Sequence, residues 1–224
     1  MKRTLALAAV ATLSLSLASP AAAEVLDGTE EANTLIGGKQ NDLLYGRGGD
    51  DWLKGNRGDD AHRGGDGHDD IDVGDGRRNG FNDAVGGAGN DDFAGGRGYT
   101  YAEGSEGDDK YWASEADMTG EWDQQDYFRG NEGDDRGTLR RGHDTWEPDE
   151  GADKGHLGGQ SDYAFMYPDG EKDVIWCGAG KDWVEYFGDI DPLDVRHDCE
   201  RVIDPDKSDG VSDTRAAVER RLAR

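Results

Sequence analysis

Along residues 28 to 185 the large apolar residues come singly, about nine positions apart. Leu35, Leu44, Leu53, Ile71, Val85, Phe93, Tyr111, Phe128, Trp146, Ile175 and Val184 each sit between mostly polar neighbours, and a glycine-rich run separates one from the next. Side chains alternate faces along a strand, so one apolar residue at the centre of three predicts a three-residue strand whose middle side chain enters a narrow core. The six residues before each strand predict a turn, where glycine permits positive φ and close backbone approach. The apolar position fails at His62, Gly137 and Gly155 and is only Ala at 102 and 164. The residues flanking each centre are expected to face outward, and they include Tyr45, Trp52, Trp112, Tyr127, Tyr163, Phe165, Trp176 and Trp183.

The spacing belongs to a nine-residue unit, G-G-x-G-x-D-x-U-x, with U the apolar position. GGDGHDDID (64–72) and GGAGNDDFA (86–94) set the register, and GRGGDDWLK (46–54), GNRGDDAHR (55–63), GSEGDDKYW (104–112), GNEGDDRGT (130–138) and LRRGHDTWE (139–147) fall into it. Position six is then Asn33, Asp42, Asp51, Asp60, Asp69, Asp83, Asp91, Thr100, Asp109, Asp126, Asp135, Asp144, Asp153, Asp162, Asp173 and Asp182. Fourteen of these sixteen are Asp, where 36 Asp in 224 residues would place about 2 or 3 by chance, so the register is real. A carboxylate there, beside turns whose glycines let carbonyl oxygens converge, makes the all-oxygen environment that a hard cation such as Ca2+ prefers. The same turns also have a reading without an ion, as solvated β-arcs whose Asp side chains bond local amides.

These repeats resemble the RTX, or haemolysin-type, calcium-binding nonapeptide repeats over roughly residues 28–185. The resemblance implies an all-β fold, a parallel β-roll or β-solenoid in which each coil uses two repeats, with calcium between turns stacked eighteen residues apart. Carried onto this chain, it pairs Asp42 with Asp60, Asp51 with Asp69, Asp91 with Asp109, Asp126 with Asp144, Asp135 with Asp153, and Asp144 with Asp162. The candidate ligands are Asp42, Asp51, Asp60, Asp69, Asp91, Asp109, Asp126, Asp135, Asp144, Asp153 and Asp162. Departures at Arg77–Phe81, in an inserted stretch at 113–120 and at Thr100 weaken the sites expected between 74 and 125, and Gln or Glu in place of the position-four glycine at 40, 124, 160 and 171 is expected to change how those turns close.

Composition strengthens the cation reading. Only 33% of residues are hydrophobic, and 50 acids against 25 bases leave a formal charge of −25. So little apolar area does not offset roughly 1–2 kcal/mol of backbone entropy per ordered residue, and the crowded acids Asp50, Asp51, Asp59 and Asp60 repel one another. Calcium binding is therefore expected to drive much of the folding. The same field repels nucleic acid and anionic membranes, which excludes them as partners.

At the N-terminus, Lys2 and Arg3, an apolar stretch from Leu5 to Ala18, and Ala21-Ala22-Ala23 predict a secretory signal cleaved after Ala23, hence a secreted, extracellular protein. Cleavage removes two bases and no acid, so the charge of −25 becomes −27. The stretch is short for a membrane anchor, and no later segment suits one. In an oxidising compartment Cys177 and Cys199 most simply form a disulfide; the alternative is a zinc site shared with His197. CGAGKDWVE (177–185), followed by Asp198-Cys199-Glu200-Arg201-Val202, is similar to the ends of secreted RTX proteins of high-GC Gram-positive bacteria, and that resemblance implies a bridge closing the last coil. Past a Pro-, Asp- and Gly-containing linker at 204–210, Val211, Val218 and Leu222 predict a short helix. The expected organisation is a signal peptide at 1–23, calcium-binding repeats at 24–165, final repeats and a disulfide-closed cap at 166–204, and linker plus helix at 205–224.

No catalytic motif accompanies the repeats. H-E-x-x-H, G-x-S-x-G, a P-loop and a dinucleotide fingerprint are all missing, and the five His at 62, 68, 143, 156 and 197 are scattered. The repeats also start within a few residues of the expected mature N-terminus. The expectation is a monomer-capable calcium-binding solenoid with a structural or binding role and no enzymatic one. The outward Trp and Tyr residues support the alternative of a module for cell-wall glycan or a protein partner.

Overall fold

The computed structural model describes residues 22–76, 80–114 and 125–204. Among these residues there is no helix, and the predicted signal peptide and C-terminal helix lie almost wholly outside them. The chain winds as a two-sheet parallel solenoid of about nine turns. Successive strands alternate between a ten-stranded sheet running from Val25–Thr29 to Arg201–Ile203 and a nine-stranded sheet running from Thr34–Ile36 to Val195–His197. Each coil thus spends two repeats, one strand per sheet, as the resemblance to RTX repeats implied.

Register shows how insertions are absorbed. Strand partners are eighteen residues apart where the repeats are regular, as in Leu26 with Leu44 and Leu35 with Leu53. The separation grows to twenty-two between Asp70 and Asp92, twenty-six between Lys110 and Arg136, and twenty between Lys154 and Val174. The extra residues therefore fall between strands, and the strands realign. A one-residue slip would turn every apolar centre outward, so the narrow core enforces the register.

One insertion corrects the sequence reading. Ala61 pairs with Asp83 and His62 with Ala84, so Asn82 takes position six and Ala84 the inward position, in place of Asp83 and Val85. Asp83 lies on the outer face, where it forms an ion pair with Arg63.

The core is essentially one residue wide. Leu44, Leu53, Phe93, Tyr111, Phe128, Trp146, Ile175 and Val184 are fully buried, joined in the later coils by Leu139, Leu157 and Cys177 from the turns. The nominal failures also point inward: His62, Ala102 and Ala164 are buried. Gly137 and Gly155, paired in the nine-stranded sheet, have a packing reason. A Cβ on Gly155 would lie 2.5 Å from Cε3 of Trp146, and one on Gly137 would lie 3.0 Å from its Nε1. The indole fills the volume the two missing side chains leave, which keeps interior density constant along the roll.

At the C-terminal end Cys177 and Cys199 form a disulfide across a sequence separation of 22, which rules out the zinc alternative for these thiols. The bridge anchors Val195–His197 and Arg201–Ile203, the strands that form the last edges of the two sheets.

Two stability measurements follow from this packing. Gly155→Ala overpacks the Trp146 site and is expected to lower stability in saturating calcium by about 1–3 kcal/mol by chemical denaturation, with Trp146→Leu in the same chain recovering part of the loss. An unchanged midpoint would mean that the indole does not fill that space. Replacing both cysteines with Ser is expected to cost about 3 kcal/mol for a loop of this length, and hydrogen exchange should rise first in the two terminal strands.

Candidate metal centre

Two ladders of position-six side chains run along the two edges of the roll. The main-chain N–H of each donates to a carboxylate or amide oxygen one coil further on. On one edge the donor–acceptor pairs are Asn33 to Asp51, Asp51 to Asp69, Asp69 to Asp91, Asp91 to Asp109, Asp109 to Asp135, Asp135 to Asp153, Asp153 to Asp173 and Asp173 to Asp194. On the other they are Glu24 to Asp42, Asp42 to Asp60, Asp60 to Asn82, Thr100 to Asp126, Asp126 to Asp144, Asp144 to Asp162, Asp162 to Asp182 and Asp182 to Glu200. All of these contacts span 2.6–3.1 Å.

All eleven candidate ligands are on these ladders and none is more than 3% exposed. The six pairings carried over from the repeat resemblance are all present. The ladder on the first edge also runs unbroken through Asp91 and Asp109, in the irregular region. Asp173, Asp182, Asp194 and Glu200 belong to the ladders too, outside the candidate set. The first two carry the nonapeptide signal, whereas Asp194 and Glu200 follow no glycine-rich turn and are identified only by pairing.

Each ladder carboxylate gives one oxygen to the amide of the preceding coil, and Asp42 gives its second, Oδ2, to the Gly38 N–H. The second oxygen, Oδ2, is buried without a hydrogen-bond partner in Asp51, Asp60, Asp69, Asp91, Asp109, Asp126, Asp135, Asp144, Asp153, Asp162 and Asp182. Desolvation is the main consequence. It raises the carboxyl of Asp51 to about 6, those of Asp60, Asp91 and Asp173 to about 7, those of Asp109, Asp153 and Asp162 to about 8, and that of Asp135 to about 9. The donated amide opposes each rise, and neighbouring ladder carboxylates add to most of them. Asp126 and Asp144, buried side by side, are raised for the same reason.

Glycine at position one makes room beside these oxygens. A Cβ added to Gly46, Gly64, Gly86, Gly104 or Gly130 would fall onto Oδ2 of Asp51, Asp69, Asp91, Asp109 or Asp135 respectively, and close to the carbonyl oxygen of Gly64, Gly86, Gly104, Gly130 or Pro148 one coil on. On the other edge Gly37 brings together Asp42 and the Gly55 carbonyl, and Gly55 brings together Asp60 and the Val73 carbonyl. Asp144, Asp153 and Asp162 stand differently: Leu139, Pro148 and Leu157 occupy position one, so a real Cβ borders those carboxylates. The turn before Asp126 lies in part outside the described residues.

Among the described residues no three His, Cys, Asp or Glu side chains gather into a cluster. A cation in these cradles would be held by a carboxylate oxygen and carbonyl oxygens from stacked turns, the donor set that suits Ca2+. The orphaned Oδ2 atoms and the glycine cradles both fit that ion.

The outward aromatics stack on one another from coil to coil. Tyr163 and Trp183 lie 5.0 Å apart at 9°, Tyr101 and Tyr127 5.2 Å apart at 22°, and Trp176 sits between His156 (4.2 Å) and His197 (5.4 Å). Phe165, expected outside, is buried because Phe187 and Tyr163 cover it. Trp52 and Trp112 are the exposed members, at 41% and 39%.

Residues 27–61 match the family model of the RTX calcium-binding nonapeptide repeat in four copies. No curated protein and no solved structure matches the chain. The matched segment holds the Gly37 cradle and the rungs Asn33 to Asp51 and Asp42 to Asp60, and the same ladder geometry continues in the coils that follow. Over residues 27–61, then, the chain is similar to the RTX calcium-binding nonapeptide repeat.

Proposed function

We propose that the protein is an exported calcium-binding β-roll in which Ca2+, held between stacked turns, completes folding of a rigid solenoid with a structural or binding role. The carrying observation is the recurrence of a buried, unpartnered carboxylate oxygen facing a carbonyl oxygen across a glycine cradle. An uncompensated buried anion is costly, and a dication shared by neighbouring turns offsets that cost along a whole ladder. Asp51, Asp69, Asp91, Asp109 and Asp135 form the best-cradled column, with Asp42 and Asp60 opposite. The signal-like N-terminus and the disulfide support export.

The outward aromatics support the glycan or protein-partner reading less well. Rings stacked along the solenoid axis cover one another's faces, which are the surfaces a sugar would need. Trp52 and Trp112 retain exposed area. No helix among the described residues is long and apolar enough to cross a membrane.

Titrating calcium into metal-free protein, followed by far-UV circular dichroism with a magnesium control and chelator reversal, is expected to give a cooperative, calcium-selective gain of β signal. A chain equally ordered in chelator would remove the ion from the folding mechanism. Asp91→Asn is expected to raise the calcium midpoint by about tenfold, while Asp83→Asn, on the outer face, leaves it unchanged.

Without divalent ions, stability has a defined pH dependence. The ladder carboxyls have folded values above the ordinary 3.8, so the folded chain binds more protons than the unfolded chain between about pH 4 and the raised values of about 6 to 9. Stability is then highest below that window and falls as pH rises through it. In chelator, β signal should be greater at pH 5 than at pH 8, and saturating calcium should reverse that order. Equal signal at both pH values in chelator would mean that the ladder acids do not govern folding.

A further inference from the structure

We infer that the turn at Gly55 is a mixed nitrogen–oxygen metal site, with His62 as its nitrogen ligand, that takes a borderline first-row divalent cation such as Zn2+ in preference to Ca2+. This rests on reading the glycine turns as cation sites, and it singles out one of them as chemically different.

Three donors converge beside the Gly55 α-carbon. The position of an added Cβ lies 2.5 Å from Oδ2 of Asp60, 2.5 Å from the carbonyl oxygen of Val73 and 3.0 Å from Nε2 of His62. At no other described glycine does an imidazole nitrogen come among the nearest atoms. His62 is fully buried, and neither of its ring nitrogens has a hydrogen-bond partner. Oδ2 of Asp60 is buried and unpartnered as well. Two orphaned donors of different chemistry thus lie close together at one turn.

The location of His62 is itself unusual. It holds the inward position that Leu44 fills one coil earlier and Ala84 one coil later in the same sheet. An imidazole at an apolar centre leaves two polar atoms unsatisfied unless something binds them. A cation facing Nε2 removes the part of that penalty that belongs to Nε2, and a Leu at the same place would not need one.

The neighbouring coil changes in the complementary direction. Position six there is Asn82, whose Oδ1 accepts from the Asp60 N–H at 2.9 Å as the ladder requires. Its Nδ2, a donor, is buried without a partner and lies 3.0 Å from the Cβ position of Gly76. The carboxylate that other coils supply at this level is missing. Fewer anionic oxygens weaken a site for Ca2+, which needs six to eight oxygen ligands, whereas zinc is satisfied by four donors and accepts imidazole readily. His62, Asp60 and the Val73 carbonyl would leave one such position for water.

The test uses the full chain kept in millimolar calcium and dialysed against micromolar Zn2+, with bound metal measured by atomic emission. One tightly held zinc per chain is expected. His62→Leu, which restores the residue type of the preceding coil, should weaken zinc retention at least about tenfold. It should leave the calcium-dependent circular dichroism in place. Replacing the surface residues His156 and His197 with Ala should change nothing. In the unaltered protein, the His62 Nε2 resonance should shift on adding zinc, a readout that does not depend on any variant folding. Zinc absent from the unaltered protein, retained equally by His62→Leu, or bound without a shift at Nε2 would overturn the inference while the calcium titration stands. Zinc bound through His62 in a chain that calcium fails to fold would instead sustain this site and sink the calcium reading.

Discussion

The structure depends on a division of labour within each ladder aspartate. One carboxylate oxygen accepts the amide of the preceding coil, which fixes the spacing and orientation of stacked turns. In all of them but Asp42, Asp173 and Asp194 the other is left buried and unpartnered. In a low-dielectric edge, a column of such atoms cannot stay ionised and uncompensated, so the hydrogen bond that aligns the coils also creates the demand for a cation. Glycine at position one follows from the same constraint, because a Cβ there would occupy the space beside the second oxygen.

The remainder of the roll is organised by how little core there is. With about one inward side chain per strand, a coil adjusts its packing only through its immediate neighbours, as in Trp146 against Gly137 and Gly155. This local compensation explains why the inward position tolerates residues from Gly to Trp while the ladder position tolerates almost nothing but Asp. The arrangement is quasi-one-dimensional, so disruption in one coil reaches mainly the coils beside it.

Outside, like positions also stack on like, and the composition of each column decides its role. Ion pairs such as Arg129 with Asp149 and Lys110 with Asp92 join adjacent coils, as do the aromatic stacks. These exposed pairs add modestly to stability, and the stacked rings spend their faces on one another. What distinguishes one level of the solenoid from the next is therefore found mainly inside, where His62 and Asn82 replace the usual residues in adjacent coils.

The nine-residue period was enough to determine the strands, the turns and the position-six carboxylates, because each follows from strand alternation, glycine conformation and a constant offset; the two-repeat coil and the pairing of rungs came from the resemblance to RTX repeats. Composition and the expected export, rather than the period, singled out Cys177 and Cys199 as a pair. Period alone could not decide Asn82 over Asp83, since only the pairing of Ala61 with Asp83 shows how the preceding insertion is absorbed. Nor could it find Asp194 and Glu200, which join the ladders without the glycine signature, or the burial of Phe165 beneath Phe187. Most of all, the convergence of His62 on the Gly55 turn appears only in three dimensions. A core position and a turn position are separate in the repeat, and it is the coiling of the chain that brings the imidazole of one to the carboxylate and carbonyl of the other.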